Sequence, residues 1–211
     1  MRKTLIGAAA ALLAVCGVAR AQSPGPFTSA QILPVNAHVA GGYLTTSDSE
    51  IGLLSQLRLS FYPGVDFGFQ GGFSRVDAGS SNTGVMRVGA DVRFGLARTS
   101  QSAPVDFALG GGFGVDVGDK YTLLSIGPTA YVSYPFAVGS GATLSPYGVA
   151  GLSFNHGSSG DVQNDQFTVP MNLGMEFRPS TAMSLALELQ LRPGDHYRDD
   201  VGLGFGINLP F

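Results

Sequence analysis

The stretch that decides the fold is Val201 to Phe211, V-G-L-G-F-G-I-N-L-P-F. Val201, Leu203, Phe205, Ile207, Leu209 and Phe211 are large and apolar, and Gly202, Gly204, Gly206, Asn208 and Pro210 stand between them. Successive side chains of a β-strand point to opposite faces, so the pattern predicts a strand with one greasy face and one small or polar face. In water the greasy face needs a covering layer of protein. A strand that closes a barrel in lipid needs none.

The same alternation recurs upstream. Predicted strands cover about 35–46, 51–62, 65–76, 86–96, 105–117, 122–136, 143–156, 166–178 and 183–192, with 201–211 the last. The clearest sets Met86, Val88, Ala90, Val92, Phe94 and Leu96 against Arg87, Gly89, Asp91, Arg93 and Gly95. Turn residues separate the runs, Pro63-Gly64 and Gly118-Asp119-Lys120 among them. The reading is an all-β, antiparallel up-and-down transmembrane barrel of about ten strands, or eight if one hairpin is misread. Such strands need about nine to eleven residues when tilted. Pro128, Pro135, Pro146 and Pro170 fall inside strands, where each removes a ladder donor and predicts a bulge or a shortened strand.

The terminal Phe after alternating apolar residues resembles the closing strand of bacterial outer-membrane β-barrels. Residues 35–211 resemble the small opacity-type and outer-membrane protein β-barrel domain families. The resemblance implies location in the cell outer membrane. It also implies contact with outer-membrane lipid and lipopolysaccharide, and recognition of the tail by the barrel-insertion machinery. With an even strand count both termini lie on the periplasmic side. Phe61, Phe94, Phe136, Phe177 and Phe211 then fall at the lower ends of the descending strands, as an aromatic girdle where the wall meets the headgroups.

The N-terminus agrees with export. Arg2 and Lys3, the apolar run from Leu5 to Val18 and Ala19-Arg20-Ala21 predict a signal peptide over 1–21. Cys16 follows Leu13-Ala14-Val15, and Val15 is too bulky for the small residue expected before a lipidated Cys. Removing 1–21 leaves nine basic residues, twelve less three, against fifteen acidic ones, a net charge of −6. It also removes the single Cys, and with it any disulfide or thiolate metal site. Without a basic patch, nucleic acid is not an expected partner. Residues 22–34, with Pro24, Pro26 and Pro34, have no period and read as a periplasmic leader before the barrel.

If the apolar set faces lipid, the opposite set faces the lumen: Arg58, Asp66, Arg87, Asp91, Arg93, Asp106, Asp116, Glu176, Arg178, Glu188 and Arg192. Isolated buried ions cost several kcal/mol each, so charges there must pair or be solvated. The near-balance of sign favours a salt-bridged, partly wet interior over a selectivity ring of one charge. The glycines on that face leave free space. His38 reads as an inward structural His. The outer loops collect Asp48, Glu50, Asp77, Asp119, Asp161, Asp165, Asp195, Asp199 and Asp200. These carboxylates read either as solvated loop charge or as bridges through divalent cations to lipopolysaccharide phosphates.

Two stretches resemble catalytic patterns. Asn155-His156-Gly157-Ser158 contains H-x-S on the lipid-facing side, a spacing similar to that of outer-membrane lipid A deacylases. Acyl hydrolysis also needs an acid to orient the His, and the sequence assigns none. Asp195-His196 with Asp199 and Asp200 resembles the Asp-His pair of ten-stranded outer-membrane proteases, but the longer loops and second acidic pair are missing. The expectation is a non-enzymatic structural or surface-interaction barrel, with no cofactor, no metal and no catalytic residues assigned; any extracellular ligand is unspecified. The alternative is a narrow passive pore for small solutes, and after it a lipid A-modifying hydrolase.

Overall fold

The computed structural model describes residues 26–77, 82–98, 104–119, 121–139, 141–159, 162–194 and 200–211. The expected signal peptide, Cys16, and Asp161, Asp195, His196 and Asp199 lie outside them. In chain order the strands are β1 His38–Ser47, β2 Glu50–Tyr62, β3 Val65–Asp77, β4 Asn82–Ala97, β5 Asp106–Gly118, β6 Tyr121–Ser133 and β7 Phe136–Val138. Then come β8 Ala142–Gly151, β9 Ser153–Ser159, β10 Val162–Thr168, β11 Met171–Ser180, β12 Met183–Leu191 and β13 Val201–Pro210. Each ring strand pairs antiparallel with its neighbours: β1 through β6, then β8, β11, β12 and β13, which returns to β1. Ten strands therefore close the wall, and β7, β9 and β10 are extra.

Proline chemistry explains the extra pieces. The seventh predicted strand is β8 continued as β9, interrupted at Leu152, and the eighth is β10 continued as β11, interrupted at Val169 and Pro170. Neither Pro128 nor Pro170 can donate to the ladder, but both accept across the break: Leu152 N donates to Pro128 O (3.1 Å) and Gly151 N to Pro170 O (2.9 Å). Above the break, β9 stays on β6 and carries β10 as a hairpin. Pro135 ends β6, and β7 adds three residues to the lower edge of β8. Pro146 stays inside β8, opposite Met175.

The wall is the inverse of a soluble protein's. Outside it exposes Leu53 (67%), Phe73 (68%), Leu173 (58%) and Phe205 (55%), among many others. Inside it buries Arg87, Arg93, Asp66 and Glu188, each at 0%. So large an apolar surface is not left in water; a bilayer covers it. Phe61, Phe94, Phe136, Phe177 and Phe211 are all exposed on that outer surface.

Three placements depart from the sequence reading. In β1, Ala40, Gly41 and Gly42 leave the two faces nearly equal, and the larger neighbours decide. Leu44 takes the lipid side, while Tyr43 turns inward, where its hydroxyl finds Gln56 and Asn208. His38 therefore shares the outer face with Leu44 and lies against Phe211, ring centroids 5.6 Å apart, instead of facing the lumen. Glu50 is not a loop carboxylate: it is 4% exposed and paired with Arg87. The third is the leader. Its described part, 26–34, enters the barrel: Phe27, Ser29, Ala30 and Ile32 are all buried.

Candidate functional site

The lumen is filled by large side chains lying over glycines. Tyr43 covers Gly206 and Tyr147 covers Gly174; a Cβ at either glycine would come within 2.1 Å or 2.0 Å of the ring above it. Phe27, from the N-terminal segment, occupies the same kind of recess over Gly204, where a Cβ would meet its ring at 2.2 Å. The inward glycines at these positions are occupied recesses, not free space. Phe27 also stacks on Tyr43, centroids 4.2 Å apart and planes 14° apart.

The segment is held by its backbone. Phe27 N donates to Glu188 (3.2 Å), Ser29 N to Glu176 (3.1 Å), Ala30 N to the Ser133 hydroxyl (3.2 Å) and Leu33 N to Asp66 (3.3 Å). Its carbonyls accept in turn. Arg93 donates to Ser29 O (2.8 Å) and Gln31 O (3.4 Å), and the Asn208 amide to Phe27 O (3.2 Å). Buried main-chain groups need such partners, and here the wall supplies them. Phe27 adopts φ +45°, a left-handed conformation that costs a bulky residue about 1–3 kcal/mol, so its contacts hold it against strain. Residues 26–33 form a plug in the half of the barrel where β1 begins and β13 ends.

The lumen charges form two main groups. In the lower one Asp66 accepts from Arg58 (2.6 Å) and from Arg93 (2.7 Å), Arg58 also pairs with Asp91 (2.7 Å), and Arg93 lies 5.3 Å from the Tyr131 ring centroid. In the upper one Arg87 bridges Glu50 (2.5 Å) and Asp116 (3.5 Å), beneath an apolar cluster of Val76, Val85, Tyr121 and Leu123. Glu176 pairs with Arg178 at 2.9 Å, Arg192 donates to Gln190 at 2.7 Å, and Asp106 is buried at the lower end. Glu188 is held by neutral donors: Tyr147 (2.9 Å), Gln190 (2.9 Å) and Phe27 N. Among the described residues, no group of three or more His, Cys, Asp or Glu is arranged to hold a metal ion.

A second constellation lies on the outer face of the β9–β10 hairpin. His156 Nδ1 sits 2.6 Å from Asp165 Oδ1, with side chains 44% and 62% exposed. The hairpin register places the two residues opposite each other, just above the Phe154–Phe167 ring pair. Ser158 follows two residues along the same face, with no hydrogen bond to His156 among the described residues. The acid missing from the sequence reading is thus Asp165. Asp200, of the second pattern, is exposed and accepts from Gly194 N (3.3 Å), while Asp195, His196 and Asp199 lie outside the described residues.

No protein-family model matches the sequence, and no curated protein matches it either. Solved structures do. A bacterial polysaccharide outer membrane secretin aligns at TM-score 0.51 and 8% identity, over 83% of this chain and 65% of its own. The β-domain of the Bordetella autotransporter Brka aligns at TM-score 0.50 and 10% identity, over 82% of this chain and 97% of its own. The chain has the fold of an outer-membrane β-barrel. The barrel spans about two thirds of the secretin chain, and at these identities the likeness is one of fold alone. It agrees with a wall that is apolar outside and charged inside.

Proposed function

We propose that the protein is an outer-membrane barrel, closed at rest, with a non-enzymatic structural or surface-interaction role. In this reading lipid and lipopolysaccharide surround the wall, and the insertion machinery receives the chain through its Phe211 end. The carrying observation is the plug: residues 26–33 occupy the lumen and bind wall residues through their own amides and carbonyls. A passive pore needs a continuous wet path, and a segment fixed at this many points interrupts it. The test is planar-bilayer recording of the full mature chain, refolded and checked by its faster gel migration before boiling. A silent bilayer is expected. Steady discrete steps from the unaltered chain would overturn the closed reading.

The His156–Asp165 pair favours a second reading, an acyl hydrolase acting on lipid A from the outer face. A His oriented by a carboxylate, with a hydroxyl two residues away, has the elements of an activated nucleophile. Expression of the protein would then shift the mass of lipid A by one acyl group, and His156→Ala or Ser158→Ala would each abolish the shift. The non-enzymatic reading expects identical lipid A with and without the protein.

A further inference from the structure

We infer that displacement of residues 26–33 opens a water-filled path for small monovalent cations, with Glu188 as its selecting group. The inference rests on the plugged reading above. Two cavities lie along the segment. One, of about 520 Å3, surrounds Thr28–Pro34 at the mouth where β1 begins; the other, of about 140 Å3, lies at Pro26 in mid-barrel. Both are polar. Gln56 lines the first and Asn172 the second, and Gln56 Nε2 and Asn172 Oδ1 are buried with no hydrogen-bond partner among the described residues. A buried polar atom left dry costs free energy, so such cavities take up water. The segment runs from one to the other, with Pro26 on the second cavity and Thr28 on the first, so its departure joins them.

Charge sets what passes. The plug caps wall carboxylates with neutral amides, and its departure withdraws those donors together. Asp66 keeps Arg58 and Arg93, and Glu176 keeps Arg178. Glu188 keeps only Tyr147 and Gln190, and no salt bridge among the described residues reaches it. It then faces the position left by Phe27 as a carboxylate with no cation in direct contact, Arg192 acting on it from further off. The rest of the lumen leans the same way. Arg58, Arg87, Arg93, Arg178 and Arg192 face Glu50, Asp66, Asp91, Asp106, Asp116, Glu176 and Glu188, an excess of carboxylates within a low-dielectric wall. Such a lumen concentrates cations and repels anions.

The experiment is recording of Gly204→Val, as the full chain, in a planar bilayer under a potassium chloride gradient. The new side chain takes the recess of the Phe27 ring without altering any charge. Discrete steps are expected where the unaltered chain is silent, with the reversal potential shifted toward that of potassium. Adding Glu188→Gln should keep the steps and lose most of that shift. A chain lacking 26–33 provides the second variant and should give the same steps. Folded variants that all stay silent, steps that prefer chloride, or a potassium shift untouched by Glu188→Gln would overturn the cation path. Steady conductance of the unaltered chain would instead count against the plug.

Discussion

Replacing Arg93 with methionine is expected to destabilise the folded barrel by about 3–5 kcal/mol, the usual cost of removing one partner from a buried ion pair. Methionine keeps most of the apolar stem, so the loss falls on the charge. Arg93 holds Asp66 through two contacts, Nε to Oδ1 at 2.9 Å and Nη2 to Oδ2 at 2.7 Å. Without it, Asp66 must share Arg58 with Asp91 at a site where both Asp66 and Arg93 are 0% exposed. The plug loses its hold on the Ser29 and Gln31 carbonyls at the same time. Urea unfolding in vesicles checks the value. The double variant Arg93→Met with Asp66→Asn should recover part of it, because no uncompensated carboxylate remains. A loss below about 1 kcal/mol, the scale of solvent-exposed pairs, would mean that water reaches this level of the lumen and screens it.

Phe205→Arg should cost about 2–4 kcal/mol, the price of a cation at the bilayer midplane. Phe205 stands midway along β13, 55% exposed, between Leu44 of β1 and Leu187 of β12. The same change at Phe211, at the lower rim, should cost about 0–1 kcal/mol, because the charge there reaches the headgroups. The contrast between the two positions is the measurement. Equal, small costs would show that the outer face is solvated, and the membrane-spanning reading would fail.

The wall was legible because each strand writes its own alternation, and lipid reads only the outer half of it. Val201 to Phe211 needed no distant information. Strand breaks were legible as prolines, though not which proline would cut the pairing: Pro146 stays within β8, while Pro170 separates β10 from β11. The plug left no such trace. Its anchors are peptide groups, which every sequence has, and its acceptors lie far along the chain, Glu188 161 residues from Phe27. Small inward positions such as Gly204 and Gly174 read as vacancy until the rings over them were known. Asp165 was closer to hand. Once the β9–β10 turn is placed, the ladder sets it opposite His156, but the break at Leu152 hides where that hairpin begins.

The plug also orders assembly in time. It leads directly into β1, yet it binds residues on β11, β12 and β13, the last part of the chain to be made. Contacts spanning 147 to 181 residues carry the largest loop-closure entropy and form late. Until β13 meets β1, the Asn208 amide and the Gly204 recess are not beside the first strand, and Phe27 has nowhere to go. Protection of the Phe27 and Ser29 amides from exchange is therefore a clock for ring closure: a half-inserted sheet leaves them bare, and a sealed one hides them.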